Sequence, residues 1–140
     1  MSESSLPWVV CKFGGTSVST RDRWNTIAEV VRTHRNEGRH PFLVCSALEG
    51  ISDQLEALLR EAEHGAPGPT LDTIRERHRT LAHTLGVDAD AALADGFARL
   101  EQLTEAAAAA DTPSPRQRAA VMASGELLST RLGVAYLSAQ

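Results

Sequence analysis

A single lysine stands beside a glycine pair near the start of the chain. Lys12 is the only lysine among 14 basic residues, and it lies in the stretch VVCKFGGTS at 9–17. A lysine ammonium is a compact point charge and an arginine guanidinium is planar, so an arginine-rich chain that keeps one lysine indicates a specific need for it. A glycine pair between a strand and a helix lets the backbone approach an anion closely, with the free N–H groups of the helix pointing at it. Lys12, Gly14, Gly15 and Thr16 are therefore candidates for binding phosphate groups.

The order of residues separates this motif from better-known phosphate loops. In the Walker A loop the lysine follows the glycines, whereas Lys12 precedes them, and the chain has no GxGxxG dinucleotide motif. A lysine at a strand end would lie where open α/β sheets bind their ligands and could neutralise the oxygens of a transferring phosphoryl group. A glycine pair alone would indicate only a tight turn.

Two further segments carry polar groups that could contact a substrate. Ser46 and Ser52 lie in SALEGISD at 46–53, directly after a second apolar run, and Glu126 lies in SGELLS at 124–129. In a parallel sheet the loop that begins at Ser46 would lie beside the glycine pair. The alternatives are a plain turn in which Ser52 caps the next helix and a solvated glutamate on an amphipathic helix.

The elements that would position these residues form an α/β pattern. Apolar runs at 7–13 and 41–47 predict two parallel strands, and the helical period between them predicts a βαβ unit with Ser19 or Thr20 as the N-cap of its helix. Such runs suit a sheet covered on both faces, and two strands with their own helices would leave one apolar face uncovered. Helices are also expected at 51–62, broken by 64–69, and at 70–85, 88–110 and from 115 onward, where Ser114, Pro115 and Gln117 form a capping-box start.

Composition excludes several function classes. The chain has 140 residues, a net charge of −4 and 42% hydrophobic residues, without a basic patch for nucleic acid. It has no secretory leader and no apolar run of the roughly 20 residues that span a bilayer, which favours a cytoplasmic protein with no membrane partner. Cys11 and Cys45 lie in strand-like runs and are expected to be free thiols. Small-molecule chemistry is the remaining class.

Three motifs in order resemble one family. KFGGTSV at 12–18 resembles the N-terminal signature of aspartate kinases in the amino-acid kinase family, SALEGISD at 46–53 its second loop, and SGELLS at 124–129 its glutamate motif. The resemblance implies a three-layer α/β fold with a mainly parallel sheet, of which 1–140 would be the N-terminal part of the catalytic domain with a helical insertion at about 54–110.

The implied reaction is ATP-dependent phosphorylation of the β-carboxylate of L-aspartate to 4-phospho-L-aspartate, the first step toward lysine, threonine and methionine. By this resemblance Lys12 would hold the phosphoryl group in the transition state, and Gly14, Gly15 and Thr16 would line the phosphates. Ser46 would lie near the phosphates, and Mg²⁺ would be bound through the nucleotide.

The remaining motif residues would hold the second substrate. The resemblance implies that Ser52 contacts the aspartate, at a position where threonine is common in the family. It also implies that Glu126 pairs with the aspartate ammonium group. A glutamate, acetylglutamate or nucleotide kinase of the same superfold, and a truncated non-catalytic binding module, remain alternatives.

The resemblance also implies what lies beyond these residues. The long helical insertion is more like lysine-sensitive and fused bifunctional aspartate kinases, so fusion to a homoserine dehydrogenase or a diaminopimelate decarboxylase stays open. No adenine pocket or regulatory domain is visible within 1–140. Residues 1–140 alone are therefore expected to be inactive, and the full-length enzyme is expected to be a homo-oligomer.

Overall fold

Two parallel strands form the sheet. The structure is a computed structural model that describes residues 6–65, 68–110 and 112–140. Strand β1 is Trp8–Phe13 and strand β2 is His40–Cys45, paired in parallel so that Lys12 lies opposite Val44. Helix α1, Arg21–Asn36, connects them and confirms the βαβ unit.

Four helices follow the second strand in the part of the chain that the structure describes. They are α2 at Ile51–Glu63, α3 at Thr70–Leu85, α4 at Ala89–Ala108 and α5 at Pro115–Ser138, which confirms the predicted order. Part of the predicted break at 64–69 and residue 111 lie outside the described residues. No helix in the described ranges is long and apolar enough to cross a membrane.

The predicted helix ends are largely confirmed. The Ser114 hydroxyl accepts a hydrogen bond from Gln117 N, and the Gln117 side chain accepts one from Ser114 N, so the capping box is formed. Gly86 ends α3 with φ of 72°, a left-handed conformation that favours glycine. Of the two predicted N-cap candidates of α1, Thr20 caps the helix by accepting from Arg23 N, and Ser19 does not.

The core lies between the helices and one face of the sheet. Trp24 of α1 is fully buried, and its indole N–H donates to the Val18 carbonyl over 2.8 Å. Fully buried apolar side chains of the other four helices share this core: Ile51, Leu55, Leu58, Ile74, Leu93, Leu100, Leu128 and Leu132. The apolar stripes of the helices therefore pack on one another as their spacing predicts.

The other face of the sheet is uncovered in the described residues. Side chains alternate between half-buried and exposed along both strands, as the two-residue period of a strand requires. Trp8 is 70% exposed, Val10 68% and Phe42 55%. The prediction of one uncovered apolar face is confirmed, whereas coverage of both faces does not hold within the described chain.

Candidate active site

The glycine pair opens a loop at the carboxyl end of β1. This first loop, residues 14–20, begins with Gly14 in an extended conformation and continues as a short 3-10 helix, Gly15–Val18. Helix α1 begins at Arg21, as the predicted N-cap candidates Ser19 and Thr20 require, so a separate short turn lies between the glycines and the helix. The chain makes this extra turn to bury Val18, whose carbonyl accepts the Trp24 indole N–H. The N–H groups of the α1 first turn therefore do not follow the glycine pair.

The two glycines have different environments. A Cβ on Gly14 would meet no atom of the described residues within 4 Å. A Cβ on Gly15 would lie 2.9 Å from the Ala47 carbonyl oxygen and 3.3 Å from the Glu49 backbone nitrogen. Gly15 is thus required by the close approach of another loop, whereas Gly14 exposes its backbone to open space, where an anion can approach it.

The loop that approaches Gly15 follows β2. This second loop, residues 46–50, continues from the strand with Ser46 N donating to the Phe13 carbonyl over 2.9 Å. The hydroxyl of Ser19 donates to the Gly15 carbonyl over 2.6 Å and accepts from Glu49 N over 2.9 Å. One side chain therefore joins the first loop to the second, as the parallel sheet predicts for loops at one edge.

Ser52 lies just beyond the second loop. The alternative prediction, that Ser52 caps the next helix, is wrong. It is the second residue of α2 and is exposed. The N-cap of α2 is Gly50, with φ of 77° and no side-chain cap hydrogen bond. Because Ser52 does not cap the helix, its hydroxyl is free of that local role.

The glutamate segment, residues 124–129 of α5, packs on the second loop. A Cβ on Gly125 would lie 2.8 Å from the Ala47 Cβ and 3.1 Å from Leu55 Cδ1. The Ser129 hydroxyl donates to the Ser46 carbonyl over 2.6 Å. Glu126, on the same stretch of helix, is exposed. The helix carrying Glu126 is therefore fixed against the loop that contains Ser46.

Lys12 lies one residue before the end of β1 and is exposed. In the described residues, the side chains of Lys12, Thr16, Ser46, Ser52 and Glu126 make no hydrogen bond or ion pair with the protein. The first loop and the glutamate segment both contact the second loop, whereas no hydrogen bond or ion pair joins these side chains to one another in the described residues. Such an arrangement leaves an ammonium, three hydroxyls and a carboxylate available to ligands.

Two serines that join the segments were not predicted as site residues. By sequence alone, Ser19 indicates only a helix cap, and Ser129 has no predicted role. The small residues Gly125 and Ser129 lie four apart on α5, which places them on one helix face. That spacing was the available signal that another backbone approaches this face of the helix.

Burial disfavours a thiolate at the end of β2. Cys45, the last residue of β2, is half-buried and free, and burial raises the pKa of its thiol. The thiol is therefore neutral at ordinary pH and a poor nucleophile. Cys11 is also a free thiol.

The sequence and fold match those of known kinases. Residues 7–140 match the family model described as Amino acid kinase family. An aspartokinase of Chlamydia trachomatis is 33% identical over 132 residues, which cover 91% of this chain and 27% of that protein. The lysine-sensitive aspartokinase 3 of Escherichia coli is 36% identical over 133 residues, covering 92% of this chain and 28% of that protein.

A solved structure has the same fold. E. coli aspartokinase III in complex with aspartate and ADP superposes with a TM-score of 0.73 at 32% identity, covering 94% of this chain and 29% of that one. The chain thus spans under a third of the length of these relatives. Since the family model covers residues 7–140, nearly the whole sequence, the chain belongs to the amino acid kinase family.

Proposed function

We propose that the protein is an aspartate kinase, which transfers the terminal phosphoryl group of ATP to the β-carboxylate of L-aspartate to give 4-phospho-L-aspartate. The observation that carries the proposal is the contact of three motif segments at the carboxyl end of the sheet. Gly15 and Gly125 both pack against Ala47, and Ser129 bonds to Ser46. The relatives named aspartokinases, and the ADP and aspartate bound by one of them, support this choice within the family.

The phosphate side of the site is assigned to the first loop and the start of the second. The open space beside Gly14 suits the approach of phosphate oxygens to the backbone. Gly15 and Thr16 line the same turn, and Ser46 lies at the end of the neighbouring strand. The ammonium of Lys12 neutralises charge on the transferring group, which is where preorganised electrostatics lower a phosphoryl-transfer barrier.

The aspartate side is assigned to Ser52 and Glu126. Both side chains are exposed, and neither has a protein partner in the described residues. The Glu126 carboxylate pairs with the substrate ammonium, and the Ser52 hydroxyl bonds to the substrate. A carboxylate and an ammonium form a charge-assisted hydrogen bond, which orients the amino acid as well as binding it.

Mg²⁺ fits this site through the nucleotide. Within the described ranges, no group of three or more His, Cys, Asp or Glu side chains could hold a metal ion. The candidate side chains at the end of β1 and in the first loop are a cation and a hydroxyl, which suit phosphate oxygens. Mg²⁺ is therefore assigned to the ATP phosphates, where it neutralises charge during transfer.

The proposal includes a larger protein. Residues 1–140 would be the N-terminal part of the kinase domain, with 54–110 as a helical insertion. The adenine site, the rest of the sheet and any regulatory domains would lie elsewhere in a cytoplasmic homo-oligomer. A fused homoserine dehydrogenase or diaminopimelate decarboxylase is compatible with this arrangement.

The test is an assay of the full-length protein with ATP, Mg²⁺ and L-aspartate, in which hydroxylamine traps the acyl phosphate and the release of ADP reports transfer to any acceptor. Glutamate, acetylglutamate and a nucleoside monophosphate serve as competing acceptors, and a Lys12→Met variant serves as the negative control. Product from aspartate alone supports the proposal. Product from another acceptor would identify a different kinase of the family, and ATP binding without any product would identify a non-catalytic relative.

A further inference from the structure

A groove lined largely by charged and hydroxyl side chains lies beside the two loops. It occupies about 370 Å³ between the N-terminal turn of α1, the second loop and α3. Two arginines, Arg21 and Arg77, line it, and none of the proposed phosphate-binding or aspartate-binding residues does. Four hydroxyl side chains also line it: Ser19, Thr20, Thr80 and Thr84.

The two guanidinium groups have unused hydrogen-bonding capacity. Arg77 is half-buried, and its Nη1 lies 3.3 Å from the position that a Cβ on Gly50 would take. Arg21 donates from Nη1 to the Thr84 carbonyl over 3.2 Å. Among residues 6–65, 68–110 and 112–140, neither arginine pairs with a carboxylate, and Arg77 donates to no protein acceptor. A guanidinium carries five N–H donors, so most of these donors are available to a ligand in the groove.

Neighbouring arginines on α3 show that this is not a general property of the helix. Arg75 pairs with Asp72 at 3.4 Å and with Glu101 at 3.0 Å. Arg79 stacks over the Phe97 ring with its guanidinium carbon 5.4 Å from the ring centroid. Arg77 faces the groove and has neither kind of partner in the described residues.

One carboxylate opposes the positive charge. Glu76 also lines the groove, is exposed, and accepts a long hydrogen bond of 3.4 Å from the Thr80 hydroxyl. Two guanidinium groups against one carboxylate leave the charged lining with a net positive charge. We propose that this groove binds a small oxyanion, a phosphate or a carboxylate, through Arg21 and Arg77.

The groove adjoins the two loops of the candidate active site. Ser19 lines the groove, and its hydroxyl is also the group that joins Gly15 to Glu49. Leu48 of the second loop lines it as well. An anion bound there lies against the residues that hold the two loops together.

Calorimetric titration of the full-length protein with inorganic phosphate, and separately with succinate, tests the proposal. The parent for all variants carries Lys12→Met, which removes the charge of the proposed catalytic phosphate site. Arg77→Met and Arg21→Met should each weaken binding by about tenfold or more, since each removes a charge-assisted contact. Arg99→Met is the matched control, because Arg99 is exposed on α4, outside the groove, and should bind as the parent does.

Glu76→Gln supplies an independent readout, because it removes the opposing charge at an exposed position. It should bind the anion more tightly than the parent, a result that a purely structural role of the arginines would not produce. The stronger of the two titrants identifies the ligand as a phosphate or a carboxylate. The proposal is overturned if neither anion binds saturably, or if Arg77→Met and Arg99→Met bind equally well.

Discussion

The Ser129 hydroxyl donates a hydrogen bond of 2.6 Å to the Ser46 carbonyl, across 83 residues of sequence. Ser129 is fully buried in α5, and Ser46 is the first residue after β2. This bond joins the helix that carries Glu126 to the loop beside the proposed phosphate site. The proposed phosphate and aspartate sides of the site are therefore connected through the backbone at Ser46.

Ser129→Ala tests this connection. Removing the donor leaves a carbonyl without its partner, so the free energy of unfolding should fall by about 1–2 kcal/mol. Urea unfolding measures the loss. Ser138→Ala, at an exposed position on the same helix, is the control and should be close to neutral. Equal stability of the two variants would show that the Ser129 hydroxyl contributes nothing to the junction.

Lys12→Arg should lower turnover by about 100-fold or more, the scale of losing one preorganised transition-state contact. A planar guanidinium cannot reproduce the point charge of an ammonium, and arginine stands at every other basic position of the chain. Since Lys12 is exposed among the described residues, the exchange displaces none of their side chains. Steady-state kinetics of the full-length enzyme measure the effect, with Arg99→Lys as the reverse exchange at a remote position. Near-normal turnover would remove Lys12 from the mechanism.

Glu126→Gln should raise the Michaelis constant for aspartate more than that for ATP. The lost charge would act on the substrate that carries an ammonium group, and the carboxylate has no proposed contact with ATP. Glu29→Gln, at an exposed position on α1, is the matched control. Equal changes in both constants, or none, would return Glu126 to the solvated-face interpretation.

Local sequence signals predicted most of the fold. The capping box at Ser114 and the glycine stop at Gly86 depend on residues within one turn, so their patterns are readable without the rest of the chain. Helix α4 was predicted at 88–110 and runs from Ala89 to Ala108. The spacing of apolar residues along each helix predicts the buried core residues for the same reason.

Contacts between distant segments were not predictable in the same way. Ser19 and Thr20 are equally suitable N-caps by type, and only the position of Glu49 in the second loop explains why Ser19 joins the loops. The 3-10 helix after the glycines depends on the burial of Val18 against Trp24. Likewise, Gly125 is required by its contact with Ala47, which belongs to a different element.

His78 should make the stability of the helical layer depend on pH. It is fully buried against Phe97, its Nδ1 lies 2.7 Å from the Ile74 carbonyl oxygen, and its Nε2 has no partner in the described residues. Burial lowers the pKa of His78, the bond to Ile74 acts in the opposite direction, and the charge of Arg77 lowers it further. The folded state therefore favours the neutral ring.

The sign follows from this depressed pKa. The unfolded chain takes up the proton at a higher pH than the folded chain, so stability is complete above about pH 6.5 and falls as the pH drops below it. His78→Leu should show a smaller loss between about pH 7.5 and about pH 5.5 in urea unfolding. His83→Gln, at an exposed position on the same helix, should keep the wild-type dependence. The prediction fails if His78→Leu and the wild type lose stability in parallel.

The glycine pair allows stability and nucleotide binding to be separated with two matched substitutions. Gly15→Ala would place a Cβ 2.9 Å from the Ala47 backbone oxygen, which cannot move without displacing the second loop, so it should cost about 1–3 kcal/mol of stability. Gly14→Ala meets no atom within 4 Å, and φ of −74° is allowed for alanine, so its stability should change by less than about 0.5 kcal/mol.

If phosphate oxygens approach the Gly14 backbone, the added methyl group should instead raise the Michaelis constant for ATP, with little change in that for aspartate. Urea unfolding and steady-state kinetics of both variants measure the two effects. A Gly14→Ala enzyme with unchanged ATP kinetics would place the nucleotide phosphates away from this glycine, while a fully stable Gly15→Ala protein would show that the two loops can separate at little cost.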